Sequence, residues 1–168
     1  TKDPPEGFTK EGLRGGLLGK LTYGSNADEW RTRGEVWGTS PRFRFLLGGS
    51  ARAIEDMEGG RGQGPLKPTS GNDLNYDFKG QFLVRPEQTV TLTVQDVHRR
   101  NAHRYYRPKQ ENQNDREAVA LTWRADRLAG PVETVETRLY VQDKEERRWF
   151  YDTGREGFAN TRTYTGST

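Results

Sequence analysis

The residues best equipped for chemistry crowd into one polar stretch, where His98-Arg99-Arg100, His103, Arg104 and Arg107 surround Tyr105 and Tyr106. Cations interleaved with aromatics can grip nucleic acid, the charges on phosphates and the rings on bases. The charge balance argues against it, because 27 Lys and Arg are mixed along the chain with 24 Asp and Glu, for a net charge of +3. A solvated loop accounts for the stretch, and no nucleic-acid partner is expected.

Other chemical signals are missing. Without Cys, neither a disulfide framework nor a thiolate metal site can form. The sequence has no HExxH, P-loop, GxGxxG dinucleotide turn or GxSxG elbow. Gly59-Gly60-Arg61-Gly62-Gln63-Gly64 matches a phosphate loop only in its glycines; no Lys-Ser/Thr follows and no apolar strand leads in. The expectation is a protein that is not an enzyme, with no intrinsic cofactor and no metal site.

The chain has 168 residues, 30% of them hydrophobic and 30% charged, and a mean hydropathy of −1.05. Such a composition permits disorder. Against that, 4 Trp, 7 Tyr and 7 Phe fall inside alternating runs, which predicts ordered β-structure with one apolar face. No run approaches the ~18 apolar residues of a membrane helix, though this says nothing about a membrane barrel. The opening Thr1-Lys2-Asp3-Pro4, without Met or signal peptide, reads as a processed or excised piece.

Period-2 alternation predicts strands over 15–24, 29–38, 42–51, 74–85, 89–96, 117–125 and 132–142, with an eighth in 147–151 or 160–168. Along 74–85, Leu74, Tyr76, Phe78, Phe82 and Val84 face one way, opposite Asn75, Asp77, Lys79, Gln81 and Arg85. Val90, Leu92 and Val94 repeat the apolar series in the next strand. Elsewhere Arg31, Arg33 and Glu35 oppose Trp30 and Val36, and Glu136 and Arg138 oppose Val135 and Leu139.

Tight turns at 38–41, 85–88 and 126–131 alternate with long polar segments at 52–73, 97–116 and 143–159; the hairpin at 24–28 is the short exception. In an up-and-down meander this puts tight turns at one end and elaborate loops at the other, as in outer-membrane barrels. Strands of ~9–11 residues cross a bilayer when tilted. Tyr23, Trp30, Trp37, Phe43 and Tyr76 near strand ends fit interface girdles. The fold class expected is all-β, an antiparallel up-and-down meander forming a segment of a transmembrane β-barrel with about 7–8 strands.

Several stretches resemble a known family. Thr1-Lys2-Asp3-Pro4, Gly15-Gly16 and "LTYGSNADEW" (21–30) resemble the junction between plug and first barrel strands of TonB-dependent outer-membrane receptors. "RFRFLLGGSAR" (42–52) looks like their third strand, and "NDLNYDFKGQFLVRPEQTVTLTVQ" (72–95) like the fourth and fifth. The resemblance covers residues 1–142 and is greatest to the haem and haemoglobin receptor type. It implies a plugged barrel of about 22 strands that imports an iron-bearing ligand, haem or a ferric siderophore, across the bacterial outer membrane. Residues 1–12 would be the plug-to-barrel junction and 13–168 a barrel segment incomplete at its C-terminal end. Its partners would be outer-membrane lipid, the rest of the barrel, and the TonB complex through the plug region.

In that setting His98, His103, Tyr105 and Tyr106 would share an extracellular loop, and imidazole and phenolate both ligate haem iron. Ordinary loop residues are the plainer reading. Leu74, Tyr76, Phe78, Phe82, Val84, Val90, Leu92 and Val94 would face lipid. Arg31, Arg33, Glu35, Asp77, Lys79, Gln81, Glu136 and Arg138 would face the lumen or plug. Two other readings stay open: a soluble small β-barrel or sandwich binding a small molecule, and a small eight-stranded outer-membrane barrel with an adhesin or structural role.

Overall fold

Residues 2–5, 7–127, 132–152 and 155–167 are described by the structure, a computed structural model. The alternating runs pair as one antiparallel meander of eight strands, β1 (Arg14–Gly24), β2 (Glu29–Thr39), β3 (Phe43–Ile54), β6 (Gly71–Arg85), β7 (Gln88–Arg104), β8 (Arg107–Asp126), β9 (Thr134–Asp152) and β10 (Arg155–Ser167). Between β3 and β6 lie a small hairpin, β4 (Met57–Gly59) with β5 (Gly64–Leu66), and one 3₁₀ turn at Gly60–Gly62. Each large strand pairs with its sequence neighbours, so β1 and β10 are the two edges of an open sheet. The all-β antiparallel meander expected from the alternation is therefore the fold.

Turn chemistry sets the ends. Asp28 takes the left-handed conformation (φ 40°) that closes the β1–β2 hairpin, one Asp tolerates better than branched residues. Ser40 closes the β2–β3 turn, its N–H donating to the Phe43 carbonyl at 2.7 Å and its Oγ accepting from the Phe43 N–H at 3.0 Å. At the opposite end the 55–70 arch hooks over the β1–β2 tip, where Glu55 N–H donates to Ala27 O and Glu58 N–H to Asn26 O, both at 2.9 Å.

Two expectations about connections are corrected. Residues 97–116 are not a long loop: β7 and β8 run on to Arg104 and Arg107, leaving Tyr105-Tyr106 as the turn. Most of 143–159 is likewise strand, since β9 continues to Asp152 and β10 starts at Arg155. These extensions carry polar residues on both faces, so alternation is silent there. The backbone ladder and cross-strand ion pairs hold them extended instead. Among the described residues only 55–70 is an elaborate connection. The parts of the expected elements at 1, 6, 128–131, 153–154 and 168 lie outside the described residues.

Directly paired residues share a face, so the registers sort the side chains into two sets. One face carries Leu17, Leu21, Tyr23, Trp30, Val36, Phe43, Phe45, Leu47, Leu74, Tyr76, Phe78, Phe82, Val90, Leu92, Val94, Val119, Leu121, Trp123, Leu139 and Val141. The other carries Lys20, Arg31, Arg33, Glu35, Arg52, Asp73, Asp77, Lys79, Gln81, Glu136 and Arg138. Buried side chains are few and scattered, and the largest fully buried ones lie on the polar face at the short-turn end. There Leu46 and Thr39 are fully buried and Pro4 is buried with them.

Candidate functional site

The apolar face is bare. Leu17 is 81% exposed, Leu21 65% and Val141 64%, and among the described residues no second sheet or helix covers them. A soluble sandwich or barrel would bury these side chains, because an apolar face in water must find a covering layer. Most of the buried residues are instead on the polar face, Glu35 of β2 at 6% exposure and Ala118 and Ala120 of β8 among them; Ala125, on the belt face, is an exception. Part of that cover comes from the N-terminal segment, whose Lys2, Gly7 and Thr9 bond to Glu35, Thr39 and Ser40.

The apolar positions form a belt, and the belt runs obliquely across the strands. On β1 and β2 its upper members are Tyr23 and Trp30, which share a rung. On β7, β8 and β9 they are Val94, Val119 and Val141, on a rung six residues nearer the short turns, level with Leu17 and Val36. Its lower members descend likewise, from Leu17 on β1 to Val135 on β9. The drift averages about one residue per strand; at ~3.3 Å along for ~4.8 Å across, the strands incline to the belt normal by about 35°. Transmembrane barrels tilt by ~35–45°. Along β6 the belt runs from Leu74 to Val84, about 33 Å of strand and about 27 Å in projection, close to the ~25 Å apolar band of such barrels.

Above the belt, the same face turns polar. Tyr76 pairs with Asp96, which pairs with Glu117, and Glu117 with Asp143. One rung higher, Leu74, His98, Asp115 and Glu145 stand in line. His98 lies between two carboxylates, Nδ1 2.7 Å from Asp115 and Nε2 2.9 Å from Asp96. Arg100 Nη1 also donates to Asp115, at 2.5 Å. The bond to Asp115, helped by Asp96, raises the imidazole pKa above its usual range. Burial works against ionising Asp115, but Arg100 and His98 together hold its carboxyl below the ordinary range.

This placement corrects the reading of His98, His103, Tyr105 and Tyr106 as one ligand loop. His98 and His103 are in strand β7, opposite Asp115 and Glu111, which are four residues apart on β8 or about 13 Å. Tyr105 and Tyr106 are exposed at the hairpin turn, where the Tyr106 hydroxyl accepts from Arg104 at 3.0 Å. The four do not converge on a common centre. Among the described residues no group of three or more His, Cys, Asp or Glu is placed to hold a metal ion. Trp37 is on the polar face, as its alternation with Trp30 and Val36 requires, so only its place in a lipid-side girdle is corrected; a Cβ on Gly16 would meet its ring at 2.9 Å. Tyr76 sits within the β6 belt, against Gly49, not at a strand end.

All eight residues expected on the polar side share that face. Arg33 is its hub, donating to Glu35 at 2.7 Å and, through both terminal nitrogens, to Asp77 at 2.8 and 3.1 Å. To reach Asp77 on β6 it crosses β3 at Gly48, where a Cβ would stand 2.4 Å from its Nη2. Gln81 donates to Thr91 at 3.2 Å. Glu136 lies 3.6 Å from Arg124, and Arg138 stacks over Tyr140 at 5.7 Å. Arg31 pairs with Glu29 at 2.5 Å. Seven of the eight expected belt residues pair on the opposite face; Val84 falls in the register shift between Leu83 and Arg85, without a ladder partner, and is 45% exposed.

The N-terminal segment runs down the polar face before entering β1. Lys2 donates to Glu35 at 3.3 Å, and Asp3 pairs with Lys79. Lower down, Thr39 Oγ1 donates to Gly7 O at 2.7 Å, Arg44 stacks on Phe8 at 5.0 Å, and Thr9 N–H donates to Ser40 O at 3.3 Å. Sequence reasoning did not single out Glu29, Arg52 and Asp73, which with Arg99, read only as part of a basic loop, complete the upper part of this network. Arg52 and Asp73 fell in a segment read as a connection, although carrying the parity of 74–85 back one residue puts Asp73 beside Asn75.

Fold and faces together define the class: an open antiparallel β-meander, two-faced, with an oblique exposed apolar belt on one side and an ion-paired network on the other. No protein-family model matches the chain, and no curated protein or solved structure matches it.

Proposed function

We propose that this chain is wall of an outer-membrane β-barrel of the TonB-dependent receptor kind, a transporter that imports an iron-bearing ligand, haem or a ferric siderophore. The observation that carries the membrane part is the oblique belt: apolar, uncovered, of bilayer height, and ending on a polar extension at one end only. Water would leave that face unpaid for by burial, whereas lipid is its natural solvent. Open edges at β1 and β10 call for further strands, because an unpaired ladder cannot stand in hydrocarbon. This favours a larger wall over a closed eight-stranded barrel.

The receptor kind rests on the sequence resemblance and on the path of residues 2–5 and 7–12. They descend the polar face and turn into β1 at the short-turn end, the course expected of chain leaving a plug inside the lumen. Proteins of this sort lie in the bacterial outer membrane, contact lipid, and engage the TonB complex through the plug. Haem ligation by His98, His103, Tyr105 and Tyr106 together is not part of the proposal.

Quenching by lipids brominated along the acyl chain tests the membrane part. Refolded into such vesicles, Trp123 on the belt should be strongly quenched and Trp37 on the polar face protected, each in a variant lacking the other tryptophans. Equal quenching, or a monodisperse folded monomer without detergent, would overturn it. The transport part is tested by deleting the gene and growing the organism on haem or a ferric siderophore as sole iron source. Unchanged growth on every such source refutes it.

A further inference from the structure

High on the belt face the wall is not flat. Trp30, Ala53, Asn72 and Arg100 share one rung across β2, β3, β6 and β7, and Thr32, Ala51 and Leu74 share the next one down. Small side chains therefore fall between two large ones, leaving a recess of about 400 Å³ with Trp30 on one side and Leu74 on the other. Arg52 and Asp73 also border it, from positions whose parity belongs to the other face.

The recess continues downward as a trough. Gly19, Gly34 and Gly49 form the rung below, and nothing stands within 4 Å of where a Cβ on Gly19 or Gly34 would be. The trough stops one rung further on, where Leu17, Val36, Leu47 and Phe78 restore full-sized side chains. From Ala53 to Gly49 it follows about 13 Å of strand, within the upper half of the belt. Its upper end alone is polar: the Asn72 amide stands there beside Arg100, whose guanidinium is bonded to Asp115.

We propose that this trough holds one acyl chain of a lipid in the upper leaflet, lying along β3 with its head toward Asn72 and Arg100. Water gains little in such a place, since an apolar cavity of even ~150 Å³ stays dry and takes up a hydrocarbon guest instead. A chain in the trough touches protein at its floor and on both sides, whereas a chain elsewhere on the belt touches it on one, and dispersion sums over those contacts. The closed lower end and polar upper end fix its direction, tail down. Charge plays no part, because Arg100 is already matched by Asp115; the amide and guanidinium N–H groups serve the ester oxygens that join chain to head. The inference rests on the membrane reading of the belt. It adds that one lipid keeps a fixed place on a wall whose other lipids exchange freely.

The test titrates the full chain, refolded in detergent micelles, with a phosphatidylglycerol brominated at mid-chain. One variant keeps Trp30 as its sole tryptophan, at the trough; the other keeps Trp123, on the belt away from it. Trp30 quenching should saturate near one lipid per chain, at a lipid-to-detergent ratio at least tenfold below that at which Trp123 is equally quenched. Trp123 quenching should rise with lipid content without a plateau. Ala51→Phe, which fills the trough from β3, should abolish the tenfold preference, and so should Thr32→Leu, which fills it from β2. Strand content by circular dichroism must match the parent in each filling variant; the Trp30-to-Trp123 comparison keeps the proposal refutable if both misfold. Trp30 quenched no more readily than Trp123 means freely exchanging lipid only and overturns the proposal, as does a preference unchanged in folded filling variants. In vesicles, Trp123 quenched with no saturable preference at Trp30 refutes this inference alone. Saturable quenching of Trp30 in micelles, with Trp123 unquenched in vesicles, refutes the membrane reading alone.

Discussion

Leu47 is where the membrane reading can be tested most sharply. It is 49% exposed on β3, on the rung of Val36 and Phe78, near the middle of the belt. If water wets this face, Leu47→Arg is a surface substitution and should change stability by no more than about 0.5 kcal/mol. If lipid wets it, an arginine at bilayer mid-depth should cost about 2–4 kcal/mol, falling to about 0–1 near the interfaces. Leu74 gives the control at the upper edge, since its rung neighbour His98 is already polar, and Leu74→Arg should be mild. The assay is urea unfolding from lipid vesicles, followed by tryptophan fluorescence. A difference of about 3 kcal/mol between the two variants is a factor of about 150 in the folding constant. Equal cost within about 0.5 kcal/mol, at both depths, would refute the idea that this face lies in a bilayer.

Other outcomes follow from specific contacts. Gly48→Val puts a side chain where Arg33 crosses to Asp77. It should cost about 1–3 kcal/mol by parting that charged pair, whereas Gly19→Ala and Gly34→Ala, which meet nothing within 4 Å, should be neutral or stabilising by up to about 1 kcal/mol; the same urea assay checks all three. The β7–β8 extension, beyond the belt, should respond to pH through His98. Its raised pKa makes the protonated form the stabilising one, so the contribution is full below the ordinary value of 6.5 and lost as pH rises through the raised value. Amide exchange in β7 and β8 should therefore speed up from pH 6 to pH 8 beyond its intrinsic rise, and His98→Gln should remove that excess. The N-terminal segment should loosen in Asp3→Lys and tighten again in Asp3→Lys with Lys79→Asp, by limited proteolysis of residues 2–12. Because Asp3 is largely exposed the coupling should stay below about 1 kcal/mol.

The sequence by itself determined the two faces. Alternation in 74–85 and 89–96 is a local property of extended chain, whose side chains must point to opposite sides, so Leu74 through Val94 and Asp77 through Gln81 could be sorted without knowing any partner. It also placed the short turns, where Pro, Gly and Ser leave little choice. Only the tertiary structure decided where 97–116 went, since a stretch polar on both faces carries no period and extends because neighbours complete its ladder. Register was equally beyond local reading. That Arg33 passes over Gly48 to Asp77, or that Arg31 stands opposite Arg52, depends on alignments between distant strands, and a slip of one residue would reverse every face. The alternation said that one side of the sheet was apolar. Pairing the strands showed that, among the described residues, no second layer covers it, because every large strand spends its ladder on its sequence neighbours in one sheet.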